Sequence, residues 1–214
     1  FDSSEIRLRF GQVAMLTGEW GTGKTHFLCD LAKRFTANGA PSLVVLAKDF
    51  DPAGSCGDEL AKFTGLANSF DDLIQIIDRM GQEAGYRGLI LIDGINESDP
   101  VAWKRDVPKL ITAVKGYSHV GLVVSCREPF DRTIVPDSSR KRMVHLKHVG
   151  FYDIEFDAQR EFFNFYGIPL PEVPLLADEF SRPLTLKILC QAYQSLPRKD
   201  QRKGFHGISS GQKG

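Results

Sequence analysis

Eight residues constrain the fold of this chain more than any others. Gly18, Glu19, Trp20, Gly21, Thr22, Gly23, Lys24 and Thr25 follow directly on the apolar run 12–17 (QVAMLT). They lead into residues 24–37, where Phe27, Leu28, Leu31 and Phe35 recur at helical spacing. A short apolar run beside glycines reads as a strand buried on both faces, and Asn38-Gly39 is a fitting helix end. A strand that passes through a glycine-rich turn into a helix needs a crossover, which commits the chain to parallel pairing. The alternation continues, with further strands predicted at 42–47, 89–92, 121–124 and 143–148 and helices at 58–67, 71–83 and 101–114. The expected fold class is therefore α/β, a parallel five-stranded sheet flanked by helices. After Gly150 the pattern turns wholly helical, at 157–166 and 183–196, as a small lid would. The expected division is 1–150 for the α/β domain, 151–196 for the helical lid and 197–214 for a basic flexible tail or linker.

The eight residues satisfy G-x-x-x-x-G-K-[ST], the pattern of a phosphate-wrapping P-loop. Glycines allow successive N–H groups to turn inward, and the helix that follows offers its positive end to an anion. The expected nucleotide-contacting stretch runs from Gly18 to His26, with Lys24 reaching the β and γ phosphates and Thr25 holding Mg²⁺ through its hydroxyl. Trp20 either covers the loop or touches adenine. Strand 89–92 delivers Asp93 at its C-terminal end, where open α/β sheets place ligands, and Asp93 is the expected second Mg²⁺ partner. An aspartate at a strand end also forms turns.

Glu97, beside Asn96 in DGINE, is the candidate to orient and partly deprotonate an attacking water, although Glu97-Ser98-Asp99-Pro100 also resembles a helix start. Arg127 ends the fourth predicted strand. If that strand lies between those carrying the loop and Asp93, its guanidinium faces the γ phosphate; otherwise it is a surface arginine. Lys24, Glu97 and Arg127 are thus the catalytic candidates. His145-x-x-His148 sits in a predicted strand, where a spacing of three puts the rings on opposite faces and disfavours a metal pair. Phe162, Phe163, Phe165 and Tyr166, with Arg160, read as helix core in preference to a base-stacking platform.

Charge narrows the partners. The 27 basic and 27 acidic residues cancel, so the chain lacks the overall basic field that grips nucleic acid. The tail is an exception, with Arg198, Lys199, Arg202, Lys203 and Lys213 against Asp200 alone. Cys29, Cys56, Cys126 and Cys190 are far apart, which fits neither zinc pairs nor a disulfide scaffold and points to a reducing, cytoplasmic setting. No apolar run approaches the length of a membrane span, and FDSSEIRLRF lacks the apolar stretch of a signal peptide. A start at Phe1 and a stop within GISSGQKG are expected of a piece of a longer protein.

In that order, GEWGTGKT, LILIDGINE, VVSCRE and SRPLTLKIL resemble the NACHT-type branch of the STAND nucleotide-binding switches, across roughly residues 11–190. The resemblance implies a P-loop NTPase that binds ATP or ADP with Mg²⁺. Residues 18–25 are then the Walker A loop, Asp93 with Asn96 and Glu97 the extended Walker B, and Arg127 the first sensor, on a strand inserted between the Walker strands. Pro183, in Ser181-Arg182-Pro183-Leu184, takes the place of a lid proline close to the base. The implied activity is ATP hydrolysis that controls opening and homo-oligomerisation of a larger defence or signalling protein, with its sensor and effector domains elsewhere. Two residues depart from the pattern. Asn96 stands where many relatives have an acid, so slow hydrolysis is expected, and Arg182 stands where glycine-leucine is common. ATP rather than GTP follows from the resemblance, since no guanine-reading N-K-x-D stretch is present. Two alternatives remain: a nucleotide-bound scaffold with negligible turnover, and an AAA-type ATPase acting on nucleic acid.

Overall fold

A computed structural model describes residues 11–171, 175, 177–197 and 201. Its centre is a sheet of β1 (Val13–Gly18), β2 (Ser42–Leu46), β3 (Gly88–Asp93), β4 (Val120–Arg127) and β5 (Val144–Lys147) in the order β2-β3-β4-β1-β5. Every pairing is parallel. The crossovers are carried by α1 (Lys24–Ala37), α2 (Cys56–Thr64), α3 (Phe70–Ala84) and α4 (Pro100–Lys115), followed by the short α5 (Asp131–Ile134) and α6 (Asp137–Arg140).

The two-residue period of the strands splits the core into two layers. Val13 and Met15 of β1, Ile90 and Ile92 of β3, and Leu122 and Val124 of β4 face one side, with Leu60, Leu73, Ile74 and Trp103 from α2, α3 and α4. Ala14, Leu16, Leu89, Leu91 and Val123 face the other, with Leu28, Leu31 and Phe35 of α1. The runs in β1 and β3 lack polar alternation because both faces are covered. The helix ends are written locally. Ser55 and Ser69 accept the N–H groups of Asp58 and Asp72 at the starts of α2 and α3, and Gly65 and Gly85 close these helices in left-handed conformation.

The expected five-stranded parallel sheet is present, with β4 between β3 and β1. β4 ends at Arg127 as expected, with Ser125, Cys126 and Arg127 in register with Leu16, Thr17 and Gly18 of β1. Other elements differ at their ends by a few residues. The helix expected at 58–67 starts and ends earlier, where Ser55 caps it. β5 stops at Lys147, so His148 lies beyond the strand, although its N–H still donates to the Thr17 carbonyl at 2.7 Å.

The chain divides into two compact units, Phe1–Trp20 with Lys24–His148, and Gly21–Gly23 with Val149–Gly214. The second holds α7 (Glu155–Tyr166), a single 3₁₀ turn at Asp178–Ser181 and α8 (Pro183–Ser195), around Phe163, Ile168, Cys190 and Tyr193. Phe163 is fully buried, whereas Phe165 is 83% exposed, contrary to the expected core stripe. Two residues along a helix rotate a side chain by about 200°, so both cannot face one core. Apart from residues 197 and 201, the expected basic tail lies outside the described residues. No helix among the described residues is long and apolar enough to cross a membrane.

Candidate functional site

β1 ends at Gly18, and the chain re-enters regular structure at Lys24, the first residue of α1. Between them Gly21 (φ +78°) and Gly23 (φ +99°) take backbone angles that a side chain would strain. The Lys24 ammonium lies against its own loop, donating to the Gly18 carbonyl at 2.9 Å and the Glu19 carbonyl at 2.8 Å. Thr25 donates its hydroxyl to Asp93 Oδ2 at 2.6 Å, which ties the start of α1 to the end of β3. The other carboxylate oxygen, Asp93 Oδ1, accepts from the Ser125 hydroxyl of β4. Ser125 Oγ in turn accepts the Gly94 N–H at 2.8 Å. Asp93 is therefore held from both neighbouring elements.

Arg127 and Glu97 complete the constellation. The Arg127 N–H donates to Asn96 Oδ1 at 2.7 Å, and Glu97 sits in the 3₁₀ turn Ile95–Glu97, its N–H donating to the Gly94 carbonyl at 2.8 Å. Burial draws the Lys24 ammonium below its ordinary range; the Asp93 carboxylate opposes this, Arg127 adds to it, and Cys126 and Glu97 oppose it. Asp93, Glu97 and Arg127 thus all act on the Lys24 charge. At the base of the loop, the Glu128 N–H donates to the Gly18 carbonyl at 3.2 Å. The Glu128 carboxylate accepts from the Thr17 hydroxyl at 3.2 Å and pairs with Lys147 at 3.1 Å.

The structure therefore gathers Lys24, Thr25, Asp93, Glu97 and Arg127. Thr22 is buried, Trp20 is 54% exposed and His26 lies exposed in the first turn of α1. Glu97 does not cap the following helix; Asp99 does, accepting the Val101 N–H at 2.9 Å. His145 bonds the Arg140 carbonyl at 2.9 Å, and the His148 ring meets Phe27 edge-on at 5.6 Å between centroids. Pro183 opens α8 in the second unit, where the adjacent Leu184 N–H donates to the Gly21 carbonyl at 3.2 Å. Three residues escaped the sequence reading: Ser125, Glu128, and Asn96 as an acceptor. Sliding ILI of β3 against LVV of β4 would have set Asp93 opposite Ser125. Nothing comparable marks Glu128.

The parallel five-stranded α/β architecture is similar to that of solved structures. The fold is that of the P-loop NTPases. The similar structures include Cdc6p from Pyrobaculum aerophilum, 16% identical over 85% of this chain and 55% of that one, with a TM-score of 0.54. The replication initiator DnaA bound to AMPPCP and single-stranded DNA is 15% identical over 94% of this chain and 61% of that one, with a TM-score of 0.59. A structure describing katanin self-assembly is 15% identical over 90% of this chain and 63% of that one, with a TM-score of 0.53. The chain spans 55% to 63% of their lengths. No family model and no curated protein matches the sequence.

Proposed function

We propose that this P-loop NTPase fold serves as an ATP-binding and hydrolysing switch of the STAND/NACHT type. The observation that carries the reading is the convergence of Lys24, the Thr25–Asp93 pair, Glu97 and Arg127 at the strand ends around one loop. The groups fit magnesium triphosphate. Thr25 and Asp93 bring hard oxygen donors together, and the loop supplies an ammonium and, at Gly21 and Gly23, backbone angles that turn the chain as a phosphate loop requires. When bound, Mg²⁺ neutralises charge on the phosphate oxygens.

In this reading Lys24 binds the β and γ phosphates, and Thr25 and Asp93 hold the metal. Glu97 orients and partly deprotonates water, and Arg127 contacts the γ phosphate. That last contact gives ATP and ADP different affinities for the two states of the switch, which is the condition for a nucleotide to shift a conformational equilibrium. Residues 1–150 form the nucleotide-binding part, and residues 151–196 act as a helical lid whose Pro183 meets the base. The wider role is to control opening and self-association of a larger cytoplasmic defence or signalling protein. Support for the finer reading comes from the four ordered sequence motifs. The four cysteines are all free thiols, as a reducing compartment would keep them.

The test is steady-state ATP turnover by the parent chain and by Glu97→Gln. Turnover in the parent, reduced at least about hundredfold in the variant with ATP binding retained, is the expected result. Parent turnover no higher than that of Glu97→Gln would leave only a nucleotide-bound scaffold. A second reading, an AAA-type ATPase acting on nucleic acid, is favoured by the likeness to DnaA bound to single-stranded DNA. The balanced net charge weighs against it. Salt-dependent binding of a labelled DNA single strand, followed by anisotropy, would decide for that reading.

A further inference from the structure

Backbone pairing between β3 and β4 runs from Gly88 with Val120 to Ile92 with Val124. Beyond it the chain of β3 turns away at Gly94, whose left-handed conformation (φ +71°) starts the 3₁₀ turn Ile95–Glu97. β4 continues straight to Arg127, still paired with Gly18 of β1. On the side that β3 has left, side chains take over the bonding. Ser125 bonds Asp93 and Gly94, and one step further Asn96 Oδ1 accepts the Arg127 N–H. Asn96 thus joins the turn bearing Glu97 to the backbone from which the Arg127 guanidinium projects. The amide accepts this bond without adding a third negative charge to Asp93 and Glu97.

From this geometry we propose that Asn96 is a positioning residue that sets Arg127 for the terminal phosphate, so that the acidic turn and the tip of β4 respond to nucleotide as one element. The inference rests on the nucleotide reading above. It gives Asn96 a role other than that of a lost catalytic acid: its side-chain carbonyl is committed to the Arg127 amide. Removing the acceptor frees the strand tip on the β3 side, leaving only its pairing with Gly18, and loosens the origin of the guanidinium. Contacts to the α and β phosphates do not pass through this bond. The expected consequence is lost discrimination between ATP and ADP, with ADP affinity retained.

The experiment is calorimetric titration of Mg-ATP and Mg-ADP into the full chain and into Asn96→Ala, Asn96→Asp and Arg127→Ala. Circular dichroism establishes that each variant is folded. Asn96 is only partly buried, so the alanine variant is expected to fold. The ATP-to-ADP affinity ratio should fall about tenfold in Asn96→Ala, the size of one lost bond of this kind. It should fall at least as far in Arg127→Ala and by less in Asn96→Asp than in Asn96→Ala, because the aspartate keeps the acceptor while its charge opposes the terminal phosphate. A fall in Arg127→Ala with an unchanged ratio in Asn96→Ala overturns the positioning role and leaves the nucleotide reading standing. Equal weakening of ATP and ADP in Asn96→Ala also overturns it, since a merely structural part would do that. An unchanged ratio in Arg127→Ala removes the sensing role and this inference with it, and a parent that binds neither nucleotide removes the nucleotide reading itself.

Discussion

Replacing Ser125 by alanine deletes the hydroxyl that holds the acidic strand end to β4. Ser125 is fully buried, accepts the Gly94 N–H at 2.8 Å and donates to Asp93. The buried Gly94 amide would lose its acceptor, at a cost of about 1–3 kcal/mol. The bond to an ionised carboxylate is worth about 1.5–3 kcal/mol, but Asp93 is only half buried and keeps Thr25, so solvent recovers part of that. The two losses share one atom and are not independent, which brings the expected destabilisation to about 2–4 kcal/mol. Urea unfolding followed by the fluorescence of Trp103, fully buried in the first unit, measures it; a Trp20→Phe background removes the second, exposed tryptophan. The same variant should bind nucleotide about tenfold more weakly with Mg²⁺ present and equally well in EDTA, because only the metal side of the site depends on Asp93. A loss of under about 0.5 kcal/mol, the size of an ordinary surface change, would refute the reasoning.

Two further outcomes follow from other buried groups. Asp106, on α4, accepts from the Cys56 N–H at 3.1 Å, from Arg105 at 2.7 and 2.9 Å and from Lys109 at 3.1 Å, with the Arg105 bonds contributing most to hold its carboxyl far below the usual range. A carboxyl lowered by folding stabilises above its unfolded pKa of about 4, and that contribution fades as pH falls below it. Asp106→Ala should therefore cost about 2 kcal/mol at pH 7, because Arg105 and Lys109 can rehydrate, and visibly less at pH 3; equal losses at both pH values in urea unfolding would contradict this. Burial pushes the Cys56 and Cys126 thiols up to about 12 and that of Cys190 to about 11, whereas Cys29 is partly exposed. Ellman's reagent should label one thiol of the folded chain quickly and three only on unfolding, and two or more fast thiols would contradict the packing.

Much of the fold was legible because the parallel sheet writes itself in uninterrupted apolar runs. QVAMLT and LILI gave β1 and β3 nearly to the residue, and Lys24–Ala37 was read without error because its start is fixed by the loop and its end by Asn38-Gly39. The fourth strand ends at Arg127 as expected, although Ser125 and Arg127 carry no apolar signal; their place in the strand comes from the Gly18 side of the ladder. α5 and α6, four residues each, are too short to show a period. At the site, Lys24, Thr25 and Asp93 were readable because their chemistry is tied to the motif and the strand end. The roles of Ser125 and Asn96 were not, because each depends on where a neighbouring strand stops, a tertiary fact that local sequence does not record. The exposed Phe165 marks the opposite failing, an apolar cluster taken as one face when the helix turns this one ring outward and packs Phe162, Phe163 and Tyr166 inward.

The central claim is that residues 18–25 wrap a triphosphate with Lys24 at its charged end. Calorimetric titration of Mg-ATP into the parent chain and into Lys24→Ala tests it most directly. The account predicts saturable one-to-one binding by the parent and an affinity at least about hundredfold lower in the variant, with the fold intact by circular dichroism. Equal affinities in the two proteins, or no binding by a folded parent, would contradict it.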